Sequence, residues 1–265
     1  NYAHEKKYLR RLIFDEILST FIINSNIRRN FKKKYKLPKI INYSLTNKVE
    51  KNIGFKLTQD QINAINQINF DIKSKERMFR LLQGDVGSGK TIVSLIAAQN
   101  IILNNYQVAF MAPTEILAKQ HYELFSRIFG KSFCVEILTG KTDYKKRKEI
   151  LLNLKNKKID IIFGTHALFQ KTIEFKKLGL IIIDEQHKFG VNQRKKLSEK
   201  GGSNCDVLVM SATPIPRTMM MTLYGDMDIT LIKSKPKNRK EINTYTKNIN
   251  KIDDVIKFLK KEISN

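Results

Sequence analysis

The hydrophobic positions of the chain change their spacing near residue 55. Residues 4 to about 34 have helical spacing, with an apolar face formed by Leu9, Leu12, Ile13, Ile17 and Phe21. Pro38 stops this helix, and the polar residues 39–52 favour an irregular linker. From Phe55 onward, short apolar runs alternate with helical patterns. This alternation predicts an α/β fold, with a mostly parallel sheet covered by helices on both faces, preceded by a long N-terminal helix.

The same pattern places individual elements. Thr58 is a candidate N-cap for a helix that carries Ile62, Ile65 and Ile68. Strands are predicted at 107–112, 133–138, 159–163, 178–183, 206–210 and 228–232. Helices are predicted at about 115–129, 143–155 and 191–200, and after a proline between the last two strands. The predicted C-terminal elements are a charged linker at 234–240, a strand at 242–246 and a helix at 252–263, which begin a second, truncated domain.

A glycine-rich turn at 84–91 carries the clearest chemical signal. It reads GDVGSGKT, follows the apolar pair Leu81-Leu82 and opens a helical segment, which is the context that a phosphate-binding loop requires. Backbone N–H groups of such a loop point at phosphate oxygens. Lys90 is expected to reach the β- and γ-phosphates of ATP from a surface-facing position with ligand contacts only, and Thr91 to hold Mg²⁺. The predicted nucleotide contacts are Gly84, Asp85, Val86, Gly87, Ser88, Gly89, Lys90 and Thr91.

Two acids follow the apolar strand that ends at residue 183. We expect Asp184 to bind Mg²⁺ and Glu185 to orient or deprotonate the attacking water, with a solvated pair at a strand end as the alternative. His187 could link the metal site to Ser211 and Thr213, or be a loop histidine bonded to backbone. Together with the phosphate loop, the acids predict a Mg²⁺-dependent hydrolase of ATP.

Gln61 and the two cysteines are less specific signals. The amide of Gln61 has both a donor and an acceptor and could contact an adenine edge, although glutamine at a helix start is often only a surface residue. Cys134 and Cys205 lie in apolar, strand-like runs. This placement favours buried thiols in a reducing cytoplasm over a disulfide or a catalytic role.

Composition suggests a nucleic acid as partner. The chain has 265 residues, of which 42% are hydrophobic, as in a packed globular protein. It lacks an apolar run of about 18 residues, so we expect no membrane span. A formal net charge of +24 and a pI near 9.9 attract polyanions by counterion release. The alternative is that compositional bias produced a lysine-rich, solvated surface without any contact role.

A series of motifs extends this interpretation. In order they read FKLTQDQ, GDVGSGKT, APTEILA, LTG, GTHALFQ, DEQHKFGV and SATPIPRT. Over roughly residues 55–240 the set resembles the first motor domain of superfamily 2 helicases, and among them the RecG family of bacterial branched-DNA helicases. The Mfd family of transcription-repair coupling translocases is similar in the phosphate loop and in TPIPRT. The resemblance implies a helical connector and linker at 1–50, a RecA-like P-loop domain at 51–235, and a linker with the start of a second RecA-like domain at 236–265.

The resemblance also implies which residues contact DNA. In the family, segments after several strands follow the DNA backbone, where hydroxyl and N–H groups hold a strand without reading its sequence. The matching residues here are Pro113, Thr114, Glu115, Thr139, Gly140, Gly164, Thr165 and His166. Ser211 and Thr213 resemble the motif that couples hydrolysis to movement, and Arg217 nearby would contact DNA or pair with an acid. The alternative for the strand-end residues is that they are ordinary helix caps.

The resemblance implies an ATP-dependent helicase or translocase that acts on branched or forked DNA, as a monomer, in the bacterial cytoplasm and on the nucleoid. It also implies a wedge domain before residue 1 and a second motor domain that completes the ATP site. Residues 1–265 alone are therefore expected to hydrolyse ATP weakly or not at all. The alternatives are an Mfd-type translocase, an RNA helicase with the same motor, and a non-catalytic module that binds ATP or DNA.

Overall fold

A parallel sheet forms the centre of the structure, a computed structural model that describes residues 2–32, 35–170, 172–184, 202, 204–213, 227–234 and 246–263. Its strands are β1 Phe79–Gly84, β2 Gln107–Met111, β3 Val135–Leu138, β4 Ile161–Gly164, β5 Leu178–Ile183, β6 Asp206–Ser211 and β7 Asp228–Ile232. They lie in the order β3-β4-β2-β5-β6-β1-β7, and every neighbouring pair is parallel. The predicted parallel sheet is confirmed.

Helices cover both faces of this sheet, as predicted. They are α1 Tyr2–Lys32, α2 Leu45–Ile53, α3 Gln59–Lys73, α4 Lys90–Leu103, α5 Glu115–Phe129, α6 Tyr144–Lys155 and α7 Ile252–Ile263. Alternate strand residues divide the core: Phe110 and Ile182 pack with α3, α4 and α5, whereas Ala109 and Ile181 pack with α6 on the other face. Side chains that alternate along each strand therefore serve two hydrophobic layers.

The position of each strand in the sheet explains how far its residues are buried. All residues of β1, β2, β5 and β6 are buried, whereas β3 and β7, at the two edges, have partly exposed residues. Continuous apolar runs suit strands that are covered on both faces. β3 and β4 each begin two residues later than predicted. Before them, the Cys134 backbone N–H bonds to the Asp160 carboxylate over 2.9 Å, while the Asp160 backbone N–H donates to the Cys134 carbonyl over 2.8 Å.

Local caps set the helix ends that the sequence predicted. Thr58 caps α3 with a complete capping box, in which its hydroxyl accepts from the backbone of Gln61. α5 has the predicted bounds because Thr114 caps its start and Gly130, at φ 65°, ends it. α7 also has its predicted bounds. The predicted helix at 191–200, the proline-initiated helix and residues 235–245 lie outside the described residues.

The prediction of an irregular linker at 39–52 is wrong in its second half. The chain forms α2 there, which packs against α4 and α5. Only Leu45 and Val49 of α2 are buried. Two buried positions four residues apart give too little periodicity to distinguish a helix from a polar linker. Gly54 ends α2 in the left-handed conformation, at φ 79°.

In the two terminal helices, the apolar side chains that the structure describes are largely exposed. The predicted apolar face of α1 exists, but Leu9, Leu12, Ile13, Ile17 and Phe21 are all exposed. α7 likewise has no buried residue. Among the described helices, none has the length and hydrophobicity that a bilayer crossing demands.

The cysteine prediction is correct for one thiol and wrong for the other. Cys205 is fully buried, and burial raises the pKa of its thiol to about 12. Cys134 is exposed, because it lies immediately before the edge strand β3 and not within it. Both cysteines are free.

Candidate functional site

The strand order gathers the predicted site residues along the carboxyl edge of the sheet. From β3 across to β1, the residues that end or follow the strands are Thr139, Thr165, Thr114, Asp184, Ser211 and the loop at 84–91. Parallel sheets bind ligands at this edge. The predicted contacts with the DNA backbone therefore follow three adjacent strands. The predicted metal ligand Asp184, the predicted coupling residue Ser211 and the loop at 84–91 end or follow the next three.

The phosphate loop has backbone geometry that requires glycine at two positions. Gly87 and Gly89 have φ values of 74° and 87°, and α4 begins directly afterwards at Lys90. The Ser88 backbone N–H donates to the Asp85 carbonyl over 3.1 Å, which closes the turn. The loop therefore curves into the N-terminus of α4, where backbone N–H groups and the helix dipole favour an anion.

Lys90 corrects one expectation from the sequence. Its side chain is not surface-facing, because the residue is only 8% exposed. Its Nζ donates to the carbonyl oxygens of Gly84 and Asp85 over 2.6 and 3.0 Å. The ammonium is thus held inside the loop by its own backbone, so the lysine has protein contacts as well as the predicted ligand contacts.

The loop fits a triphosphate by its donors. Ser88 Oγ is buried and has no hydrogen-bond partner within the described part of the chain, so a donor there is available for an anionic oxygen. The Lys90 ammonium lies in the same turn. The Thr91 hydroxyl and the Asp184 carboxylate are oxygen ligands of the kind that Mg²⁺ prefers. The residues present therefore suit both the nucleotide and its cation.

Gln61 joins the start of α3 to the phosphate loop. It is 1% exposed, its Oε1 accepts from the Thr58 backbone N–H over 2.8 Å, and its Nε2 donates to the Ser88 carbonyl over 2.8 Å. A Cβ on Gly89 would collide with Nε2 of Gln61. Gln61 is therefore a buried support of the loop, and its contact with adenine stays a prediction.

We expect Gly89→Ala to destabilise the chain more than Gly54→Ala. Both glycines have left-handed φ values, but a Cβ at Gly54 meets nothing within 4 Å. Gly54→Ala should lower the free energy of unfolding by about 1–2 kcal/mol from backbone strain alone. Gly89→Ala should cost the same backbone strain and a further loss of about 1–3 kcal/mol, because Gln61 must leave the Ser88 carbonyl. Urea unfolding measures both variants, and equal losses would contradict this role of Gln61.

A second set of contacts joins the loop strand to the end of β6. Gln83 Nε2 donates to the Thr213 carbonyl over 2.8 Å, and the hydroxyls of Ser211 and Thr213 lie 2.9 Å apart. The predicted coupling residues are therefore bonded to the strand that leads into the phosphate loop. Asp184 follows the neighbouring β5 and is 9% exposed. Glu185, His187 and Arg217 lie outside the described residues.

His121 is a site residue that sequence reasoning missed. Its Nε2 lies 2.9 Å from Oδ2 of Asp184, and it is 7% exposed. It shares a helical stripe of α5 with the buried Ala118 and Phe125. A polar residue at spacing i+3 on an otherwise apolar face was the signal available in the sequence.

The predicted DNA contacts are brought together at the ends of β2, β3 and β4. A Cβ on Gly140 would lie 3.4 Å from Oε1 of Glu115, and Lys141 Nζ is 3.8 Å from Oε2 of the same acid. Pro113 immediately precedes the N-cap of α5. Thr165 is half-buried at the start of a short 3-10 turn, and the side chain of His166 lies outside the description.

Two of these threonines also accept hydrogen bonds from nearby backbone N–H groups, Thr114 as the N-cap of α5 and Thr139 within a turn. Thr114 accepts from the Leu117 backbone N–H over 3.3 Å, and Thr139 accepts from the Lys141 backbone N–H over 3.3 Å. Thr114 is exposed and Thr139 half-buried, so both hydroxyls stand at the accessible edge. A hydroxyl that accepts from a backbone N–H can still donate to a phosphate oxygen. At both positions, the bond to the backbone N–H is therefore compatible with contact to a phosphate of a DNA strand.

The chain that leaves β7 is tied back to the start of α3. The Asp60 carboxylate accepts from the backbone N–H groups of Ser234 and Lys233 over 2.8 and 3.0 Å, and Ser234 Oγ donates to Thr58 Oγ1. These bonds, that from Ser234 first, lower the pKa of Asp60. The residues that follow β7 are thus attached to α3, the helix that supports the phosphate loop.

Similar proteins are known for almost the whole chain. It is 44% identical over 260 residues to the ATP-dependent DNA helicase RecG of Borreliella burgdorferi, covering 97% of this chain and 37% of that protein. It is 43% identical to RecG of Thermotoga maritima, covering 99% of this chain and 34% of that protein. The chain therefore spans about a third of the length of the curated relatives it matches.

Solved structures and a family match agree with this similarity. A structure of RecG bound to a three-way DNA junction covers all of this chain and 36% of its own, with a TM-score of 0.84 and 39% identity. The DEAD-box helicase Mss116 bound to ssRNA covers 86% of this chain and 54% of its own at a TM-score of 0.60, and its 20% identity shows the fold alone. Residues 58–222 match the DEAD/DEAH box helicase family. The chain belongs to the DEAD/DEAH box helicase family.

Proposed function

We propose that the chain is the first motor domain of an ATP-dependent DNA helicase that acts on branched DNA. The observation that carries this proposal is that the strand order brings the candidate contacts to one edge of the sheet. Asp184 and the loop at 84–91 would form a nucleotide half of this edge, and Thr114, Thr139 and Thr165 would form a strand-contact half. The similarity to RecG over almost the whole chain supports DNA as the partner, and the three-way junction in the similar structure supports a branched form. The domain would comprise residues 51–235, with a connector at 1–50 and the start of a second motor domain at 236–265.

The nucleotide half would bind the triphosphate of ATP. Lys90 would hold the β- and γ-phosphates, and Thr91 and Asp184 would hold Mg²⁺. Bound Mg²⁺ would neutralise charge on the phosphate oxygens. Glu185 would orient the attacking water and accept its proton, and His187 would lie beside it. Gln61 would keep the loop in its curved form through the Ser88 carbonyl.

The strand-contact half would hold one DNA strand by its phosphates. Thr114, Thr139 and Thr165 present hydroxyls after three adjacent strands, and the net charge of +24 favours a polyanion. Hydroxyl contacts do not read bases, which suits a motor that must move along any sequence. The coupling contact from Gln83 to Thr213 would transmit loop movement to the neighbouring strand end.

The proposed activity would also need two further domains. A second motor domain would supply the arginine finger, which is worth about 10³–10⁵ in turnover in related phosphoryl transfer. A wedge domain would engage the branch point. We further propose that the whole protein works as a monomer in the bacterial cytoplasm.

Unwinding by the full-length protein tests this function. We expect ATP- and Mg²⁺-dependent conversion of a labelled three-way junction into its strands, with ATP turnover stimulated more by the junction than by linear duplex of equal length. A junction built of RNA should stimulate turnover less, and stronger stimulation by RNA would favour an RNA helicase. Absence of turnover with every nucleic acid would favour a non-catalytic binding module, and displacement of stalled RNA polymerase without junction unwinding would favour an Mfd-type translocase.

A further inference from the structure

The carboxylate of Asp184 has a buried histidine partner. His121 Nε2 lies 2.9 Å from Asp184 Oδ2, and the two side chains are 9% and 12% exposed. A carboxylate can only accept hydrogen bonds, so Nε2 carries the hydrogen and donates it. The bond is therefore a directed contact from α5 to the end of β5, shielded from water.

The imidazole is fixed by the aromatic residues around it. The ring of Phe110, on β2, lies 4.6 Å from that of His121 at a tilt of 41°. Phe110 in turn packs against Phe163 of β4, and Phe125 of α5 packs against the same ring. A ring held on one face by this cluster has little freedom to turn away from the carboxylate.

Asp184 is held at two points, one on its backbone and one on its carboxylate. The Asp184 backbone N–H donates to the Met111 carbonyl over 2.8 Å, which fixes the residue at the strand end, and His121 fixes Oδ2. Among the described residues, Oδ1 has no hydrogen-bond partner. Because His121 holds Oδ2, the direction of Oδ1 is fixed before any cation binds.

We propose that His121 is a positioning residue that orients the Asp184 carboxylate toward the Mg²⁺ of the bound nucleotide. The proposal rests on the nucleotide site proposed above. The alternative is that the pair only satisfies two buried polar groups of the core. The two roles differ in what they change, since orientation affects Mg²⁺ binding whereas core satisfaction affects the stability of the fold.

The test compares His121→Phe with His121→Gln in the full-length protein. Phenylalanine keeps a ring against Phe110 but removes the donor, whereas glutamine keeps an N–H donor. Binding of a fluorescent ATP analogue is measured while Mg²⁺ is titrated. We expect His121→Phe to raise the half-saturating Mg²⁺ concentration by roughly 10–100-fold, with analogue affinity in the absence of Mg²⁺ unchanged. His121→Gln should restore most of the Mg²⁺ response.

Controls separate the possible failures. Gln120→Leu changes the exposed neighbour on α5 and should leave the Mg²⁺ response unaltered. If His121→Phe does not fold by circular dichroism, His121→Leu takes its place. An unshifted Mg²⁺ response in a folded variant, or equal losses with phenylalanine and glutamine, would overturn the role of His121 alone. A wild-type protein that binds no nucleotide would overturn the proposed function and this role with it.

Discussion

Replacing Lys90 with alanine in the full-length protein should lower ATP turnover by at least about 10²–10³-fold, the effect of losing one charge-stabilising donor at a transition state. The ammonium lies inside the phosphate loop, bonded to the Gly84 and Asp85 carbonyls. A γ-phosphate oxygen would draw it from these neutral acceptors, because a full negative charge attracts an ammonium more strongly than a carbonyl dipole does. Turnover is measured with a saturating three-way junction.

The fold of this variant should survive. Losing two bonds from a charged donor removes about 1.5–3 kcal/mol each. Water can replace the ammonium at both carbonyls and recover part of this loss, and a folded domain is stable by about 5–15 kcal/mol. Lys119→Ala is the matched control, because that lysine is 72% exposed and makes a weak 3.8 Å pair with Glu123. It should leave turnover unchanged. If Lys90→Ala unwound a junction at the wild-type rate, the loop would not be the ATP site.

Elements that carry their own boundaries could be predicted from the sequence. β5 was placed at its observed bounds because Leu178–Ile183 is an uninterrupted apolar run. α5 was placed correctly because a threonine cap begins it and a glycine ends it. The strand order could not be predicted, since alternation indicates parallel strands but not which strand lies beside which. The strand order, which brings the candidate site residues to one edge of the sheet, is therefore a structural result.

Residues whose role depends on a distant partner were missed. His121 is separated from Asp184 by 63 positions, and no local pattern connects them. The buried state of Lys90 was also missed, because its partners are backbone carbonyls that every loop possesses. Lys39 was assigned to the polar linker at 39–52, and Lys36 was given no role, yet both are buried against Asp206. Tertiary contacts, and not local preference, decide such positions.

The buried charge cluster of Lys36, Lys39 and Asp206 lies at the amino end of β6. It is at the opposite edge of the sheet from the proposed nucleotide site. Asp206 Oδ1 accepts from Lys36 Nζ over 2.6 Å and from the Met78 backbone N–H over 2.8 Å, while Oδ2 accepts from Lys39 Nζ over 2.8 Å. All three ionisable side chains are at most 1% exposed. Burial lowers the pKa of Lys36, and Asp206 opposes that effect. One carboxylate therefore compensates two ammonium groups.

The cluster also attaches the chain that enters the domain. Lys36 Nζ donates to the Asp71 carbonyl over 2.8 Å, and Lys39 Nζ donates to the Asn204 carbonyl over 3.0 Å. The Ile40 backbone N–H bonds to Asn104 Oδ1 over 2.7 Å. Residues 36–40 are thus held by these side-chain bonds together with the backbone bonds from Lys36 to Lys75 and from Lys39 to Ile72. Loss of the carboxylate would leave both ammonium groups uncompensated and weaken the attachment of this segment.

Asp206→Asn should lower the free energy of unfolding of the chain by about 3–5 kcal/mol, as expected when one partner of a buried ion pair is removed. The asparagine has nearly the same shape, but its amide directs N–H groups at one ammonium and leaves two lysines uncompensated. Urea unfolding measures the loss. Hydrogen exchange should also become faster at 36–40, because this segment loses its side-chain bonds to Asp206.

Glu123→Gln is the matched control, because it removes the acid of an exposed pair by the same chemical change. It should cost less than about 1 kcal/mol. Similar losses in the two variants would show that the buried lysines shed their protons instead of depending on Asp206.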